Sequence, residues 1–448
     1  MRKVILLVSL LLLLSGATLF AQSSGTAQQP VIDSGNTAWL IVATALVMLM
    51  TIPGLAFFYG GLVRRKNVLS VLMQCFIITA VVSLQWFIVG YSLAFGSSSG
   101  GLAPFIGGLK WAFMNGIGIN DPSPYFISQA TARVPHLVFA LFQCMFAVIT
   151  PALIIGAFAE RMKFGGFLLF TILWATFVYD PVAHWVWSAD GWLVKLGALD
   201  FAGGTVVHMN SGIAALVAAI VLGKRKDYAN HPTPPHNIPF VVLGAALLWF
   251  GWFGFNAGSG LAADGLAGSA FLATHIATCA AVVSWVIMDW IFNGKPTVLG
   301  AATGAVAGLV AITPASGFVT IGGAIATGLV VSVICWIMVS FVKQKSGYDD
   351  ALDAFGVHGV GGIWGALATG LFASPVIQSA ASGVFYGNGK QILAQLAAIG
   401  ATLVWSFVVT FILLKITQAV VGIKVTGSEE DIGLDLTQHD EKAYTVIE

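Results

Sequence analysis

The sequence predicts an all-α integral membrane protein of eleven spanning helices. Three observations carry that expectation: little charge, long charge-free apolar runs, and a one-sided distribution of basic loops. Hydrophobic residues make up 58% of the 448 and charged residues 9%, against roughly 25% charged in an ordinary soluble domain. So few charges cannot cover the surface of a soluble protein this long. Residues 38–63, 134–159, 238–263 and 265–288 contain no Asp, Glu, Lys or Arg, and each supplies the about 20 apolar residues that a membrane-crossing helix needs. The run 296–342 holds two more spans, split at Thr313-Pro314-Ala315-Ser316-Gly317. With no water in a bilayer core, backbone groups must pair within the segment, so these runs are helices. The period-2 alternation of a membrane barrel is absent.

Residues 1–21 stand apart. Arg2 and Lys3 precede an apolar stretch from Val4 to Leu14, and small residues lead to Ala21 before the polar Gln22-Ser23-Ser24-Gly25. That is the layout of a cleaved secretory signal, with an uncleaved anchor as the alternative, and residues 22–36 then form an external N-terminus. The expected spans are 37–62, 68–95, 134–158, 165–186, 203–223, 239–259, 268–292, 297–312, 318–342, 355–374 and 391–420, followed by a tail from 421 to 448. With the mature N-terminus outside, loops expected inside carry Arg64, Arg65, Lys66, Arg161, Lys163, Lys224, Arg225, Lys226, Lys295, Lys343 and Lys345. Loops expected outside carry only Lys110, Arg133, Lys195 and Lys390. The asymmetry agrees with the preference of basic loops for the cytosolic side and puts the tail in the cytosol. Its acidic cluster Glu429-Glu430-Asp431 then either lies against the basic inner loops or is solvated.

An odd number of spans suits a 5+5 inverted pseudo-repeat plus one. Gly204-Thr-Val-Val-His208 in the fifth span and Gly356-Val-His358 in the tenth each set a His after a Val, with an Asp upstream (Asp200, Asp353). The four cysteines, Cys75, Cys144, Cys279 and Cys335, all lie in apolar spans without disulfide or metal spacing, and read as small buried hydrophobes. A formal net charge of +1 gives no hint of nucleic acid.

Ionisable residues inside a membrane are costly and point to function by default. His136, His184, His208, His275 and His358 all fall within spans, but only His208 and His358 hold matching places in the two halves. Neutral imidazole carries one donor and one acceptor and titrates near neutral pH, so two facing rings can bond each other, line a narrow pore and relay a proton. The other three read as structural histidines bonded to the backbone. No third ligand accompanies the pair at metal-site spacing. Phe142 and Phe146 share a helix face at i,i+4, as do Trp252, Phe255 and Ser259 at spacings of 3 and 4. Trp187 ends the fourth span. Aromatic faces attract small cations by about 2 kcal/mol or more when desolvated, and interfacial Trp belts with ordinary Phe packing give the same pattern. Asp200 reads as a helix-start carboxylate that accepts backbone N–H groups. No nucleophile–base set, metal cluster or phosphate loop suggests an enzyme or a resident cofactor.

Together these motifs resemble the ammonium transporter (Amt/Rh) family, and its bacterial Amt branch in particular. The matching segments are Thr51-Ile-Pro-Gly-Leu-Ala-Phe-Phe-Tyr-Gly-Gly61, Asp200-Phe-Ala-Gly-Gly-Thr-Val-Val-His208, Gly251-Trp-Phe-Gly-Phe-Asn-Ala-Gly-Ser259 and Phe355-Gly-Val-His-Gly-Val360. The likeness extends to Gly433-Leu-Asp and Ala443-Tyr444 in the tail. It implies one pore per protomer within residues 37–420 and an outer ammonium site of Trp187, Ser259 and Phe146 supported by Asp200. Below that site it implies a gate of Phe146 and Phe255 with Phe142 alongside, then twin pore histidines His208 and His358 beside Trp252. It implies a homotrimer in a bacterial inner membrane, with ammonium or methylammonium as substrate and a cytosolic PII signal-transduction protein as partner. An electroneutral ammonia channel of the same fold and an ammonium sensor signalling through its tail are the rival expectations.

Overall fold

The computed structural model describes residues 30–226, 228 and 234–444, so the expected signal segment lies outside the described residues. Among the described residues, ten helices are long and apolar enough to cross a membrane: α1 (Ser34–Leu62), α2 (Arg65–Phe95), α3 (His136–Phe158), α4 (Phe164–Lys195), α5 (Gly204–Leu222), α6 (Ile238–Gly258), α7 (Gly265–Asn293), α9 (Ile321–Ser346), α10 (Phe355–Phe372) and α11 (Gln391–Val420). Between α7 and α9 lies α8 (Val298–Ile312), shorter at 15 residues. It stops at Thr313-Pro314, where the sequence predicts a break, because proline cannot continue the hydrogen-bonded ladder.

Burial follows from position in the bundle. α3 and α5 have 89% and 83% of their most apolar window buried, whereas α9 and α11 have 33%. The first two are therefore core helices and the last two present broad apolar faces outward. α1 packs on α6, α7 on both α8 and α9, and α5 lies between α3 and α11 and against the start of α10. The α5–α10 crossing is a tight one. A Cβ on Gly212 would fall 2.1 Å from the Gly359 nitrogen, so only glycine lets the two backbones touch.

One face of the bundle carries the basic loops and the tail. There Arg225 holds Asp349 through Nε and Nη2, both at 2.9 Å, and Glu160 through Nη1 at 2.9 Å; Arg64 Nε also reaches Glu160 at 2.9 Å. Burial pushes Glu160 up, but Arg225 and Arg64 more than offset it and hold the carboxyl below its ordinary value. The tail folds onto this network as α12 (Gly427–Ile432) and α13 (Leu434–His439). Glu430 accepts the Lys226 backbone N–H at 2.8 Å, Asp431 pairs with Lys226, and Asp435 accepts Ser70 N–H at 2.8 Å. The acidic cluster thus meets basic loops rather than solvent alone. At the other face, Val31–Ile32 pairs in parallel with Ala132–Arg133 and ties the N-terminal segment down before α1.

Candidate functional site

The site is assembled by two helices that begin inside the bundle. α5 opens with a π-helical turn, Gly204–Met209, and α10 with another, Phe355–Gly359; each turn carries its histidine. Such wide turns need help at their first N–H groups, which have no partner within the helix. For α5 the help is Asp200. Its Oδ1 accepts Gly203 and Gly204 N–H at 2.7 and 2.8 Å, and its Oδ2 accepts Thr205 and Val206 N–H at 2.7 and 3.3 Å. The chain reaches this position through Gly203 at φ 109°, a left-handed backbone that favours glycine. For α10 the corresponding carboxylate is Asp350, which accepts Phe355 N–H at 2.8 Å. The sequence pattern sets Asp353 in that place. Asp353 instead takes a left-handed backbone (φ 60°) and pairs with Lys343 at 2.5 Å. The register corrects the assignment, since Asp350 precedes His358 by the same eight residues that separate Asp200 from His208.

The two histidines meet where α5 crosses α10. His208 Nδ1 and His358 Nδ1 lie 3.3 Å apart, and their rings are 5.4 Å apart with planes at 16°. Both are buried, at 1% and 3% exposure. One nitrogen donates and the other accepts, which leaves each ring one nitrogen for other work. Nε2 of His208 has no hydrogen-bond partner among the described residues. Trp252 of α6 stacks on His208 at 5.2 Å and 20°, and Phe255 lies 6.0 Å from His208.

Above the pair, Phe255 and Phe146 stack at 4.1 Å and 28°. Phe146 meets Trp187 edge-on at 5.8 Å and 87°, and Phe142 edge-on at 5.0 Å. Trp187 Nε1 donates to the Asp200 carbonyl at 3.0 Å, so the residue that caps α5 also orients this indole. Ser259 donates to the Phe255 carbonyl at 2.8 Å and keeps its lone pairs as acceptors. The structure brings the nine residues expected from the sequence together between Trp187 and His358, with Asp200 beside Trp187. Phe142 supports Phe146 from the side, its ring against Gly258. Below His358 a cavity of about 190 Å³ continues toward the tail face, bordered by Tyr59, Val357, Asp353 and Asp289. A wider groove of about 430 Å³ lies on the outside of the bundle against Trp39, Phe271 and His275, apart from this line.

The remaining histidines have other partners. His136 bonds the Tyr91 hydroxyl at 2.5 Å rather than backbone. His184 faces the Ala94 and Ala103 carbonyls at 2.9 and 2.8 Å. His275 stands exposed on α7 beside Trp249. Two residues at the site lie in segments the sequence pattern names but have no role there assigned by it. Tyr59 donates to the Leu153 carbonyl at 3.0 Å, and Thr313 accepts Trp252 Nε1 at 2.8 Å. Asp350 is legible through the eight-residue spacing; Thr313 has no signal, because its partner lies 61 residues away.

An all-helical membrane bundle, threaded by a narrow aromatic line that ends on two buried histidines, has the build of a small-solute transport protein. Comparison with known proteins gives the family. Residues 38–444 match the model of the Ammonium Transporter Family, and the chain belongs to that family. It is 53% identical to the "Ammonium transporter" of Bacillus subtilis (strain 168) over 92% of this chain and 98% of that one. It is 46% identical to "Ammonium transporter Amt1" of Archaeoglobus fulgidus over 92% of this chain and all of that one. Among solved structures it resembles Saccharomyces cerevisiae Mep2 (TM-score 0.82, 39% identity, 89% and 88% of the two chains). It also resembles a "Sensor Amt Protein" (TM-score 0.81, 32% identity, 90% and 98%).

Proposed function

We propose that this chain is an ammonium transporter that recruits the cation at one mouth, strips a proton from it and conducts ammonia past twin histidines. Trp187, Phe146 and Ser259 supply aromatic faces and a hydroxyl acceptor to a tetrahedral donor, and Asp200 orients the Trp187 indole while capping α5. A bare potassium ion, of similar size, cannot direct N–H groups at those acceptors. The stacked Phe146 and Phe255 close the way to anything hydrated, and Phe142 backs them. A charge costs too much in the apolar segment beyond, so the proton leaves near this gate and travels separately over His208 and His358, which makes transport electrogenic. The observation that carries this reading is the 3.3 Å contact between two buried imidazoles, with Trp252 stacked on one of them. The work is transport rather than catalysis and needs no resident cofactor.

The same reading places the chain in a bacterial inner membrane with its N-terminus outside and its tail in the cytosol. It makes the chain a homotrimer with one pore per subunit and a cytosolic PII protein as partner of the tail face. The test is the current evoked when purified protein in liposomes meets an ammonium jump, against equal sodium and potassium jumps. A current with ammonium alone supports the electrogenic mechanism. Ammonia flux seen as internal pH change without current would replace it with an electroneutral channel, and neither signal would favour a sensor.

A further inference from the structure

Trp252 is the ring on which His208 rests, and its own orientation is set from the broken end of α8. Thr313 caps that helix at its C-terminus and is wholly buried. Its hydroxyl hydrogen is committed to the Leu309 carbonyl at 2.7 Å, so the lone pairs of Oγ1 are left to accept the Trp252 indole N–H at 2.8 Å. Indole has one N–H and no acceptor, and this bond is the polar restraint on the ring. The next residue of the break holds the neighbouring helix. The Pro314 carbonyl accepts Phe201 N–H at 3.1 Å, and a Cβ on Gly204 would sit 2.4 Å from the Pro314 ring. One break in α8 therefore fixes both the start of α5, which carries His208, and the indole that stacks on His208.

We propose that Thr313 is a positioning residue for conduction: one hydrogen bond sets the Trp252 ring, and that ring sets the plane of His208. The inference rests on the transport reading above. Valine has the shape of threonine without the acceptor, so Thr313→Val leaves a buried N–H unpaired. The ring must then turn to find another partner, because an unpaired buried donor is costly. Turning the ring removes the 20° stack on His208.

The test uses the full-length protein in liposomes. Thr313→Val should lower the ammonium-evoked current by roughly tenfold or more, or admit a potassium current, since small misplacements along a reaction path carry such factors. Thr313→Ser, which keeps the hydroxyl, should stay within about twofold of the parent. In a Trp252→Phe background, which has no indole N–H to satisfy, Thr313→Val should change neither current further. An equal loss in that background overturns the proposal, and so does a Thr313→Val protein with unaltered current and selectivity. The double variant also decides the matter if Thr313→Val alone does not fold. The indole ¹⁵N–H resonance of Trp252, assigned by its absence from Trp252→Phe, reads the bond without transport. It should move in Thr313→Val and hold in Thr313→Ser, and a resonance unmoved by valine overturns the hydrogen-bond role. A parent protein with neither ammonium current nor ammonia-driven internal pH change overturns the transport reading instead.

Discussion

Asp200 and Asp350 each stand eight residues ahead of a pore histidine and cap the π turn that carries it, yet they are used to different extents. Asp200 accepts four backbone N–H groups and so has both oxygens occupied. Asp350 accepts Phe355 N–H through Oδ2, with the Ala354 backbone alongside, and its Oδ1 has no partner among the described residues. The first unit is bound on both oxygens by its own helix. The second keeps a buried oxygen in reserve and has charged neighbours, Lys343 and Asp353, on the tail side. The difference teaches that one local plan can serve with every carboxylate oxygen engaged at one end of a path and with one left over at the other.

The largest expected effect breaks the symmetry at the histidines themselves. His208→Ala removes the ring in contact with Trp252, Phe255 and His358 together. His358→Ala removes the ring bordering the lower cavity. Each should abolish ammonium current or admit potassium, with the His208 variant the more severe. Wild-type current and selectivity in both variants, measured in liposomes, would remove the histidines from the mechanism.

The next largest effect compares the two caps. Asp200→Ala orphans four buried N–H groups and also shifts the carbonyl that holds Trp187. At about 1–3 kcal/mol for each unsatisfied donor, it should yield little folded protein. Asp350→Ala orphans fewer donors and should cost about 1–3 kcal/mol, seen as a moderate drop in melting temperature in detergent. Equal losses in the two variants would mean that the caps are equivalent after all.

Much of this is legible in the sequence because membrane insertion imposes simple rules. Charge-free runs give the helices, basic loops suggest a sidedness, and a histidine within a span stands out against the cost of burying it. The aromatic spacings 142/146 and 252/255/259 also place each set on one helix face, as found. What escapes is long-range. Nothing in the sequence says that Thr313 meets Trp252, since a side-chain pair formed by a helix break and a distant helix leaves no periodic trace. Proximity along the chain favours Asp353 over Asp350 as the cap ahead of His358, whereas a helix cap depends on which oxygen reaches the first turn. The tail is ambiguous for a similar reason. Its acids find Lys226 and Arg64 only once α2, α5 and α12 are brought to one face.

The smallest expected effect is a pH profile at the Asp350 unit. Burial pushes the Asp350 carboxyl up, Lys343 pulls it partly back, Asp353 adds to the rise, and it stands at about 6. An unfolded chain would give a value of about 3.9. A carboxyl that holds its proton more tightly when folded favours the folded state at low pH. The sign is therefore a loss of stability as pH rises from about 4 through about 6, and a constant deficit above that. A rise of that size corresponds to at most about 3 kcal/mol. Asp350→Asn keeps an oxygen for Phe355 N–H and cannot ionise, so it should match the parent protein near pH 4 and exceed it by a growing margin up to about pH 6.5. Melting temperatures of the two proteins in detergent, taken across about pH 4–8, give that difference directly. A margin that stays flat, or that shrinks as pH rises, would show that burial does not raise the Asp350 carboxyl, and the contrast between the two half-helix units would then reduce to the number of N–H groups each carboxylate accepts.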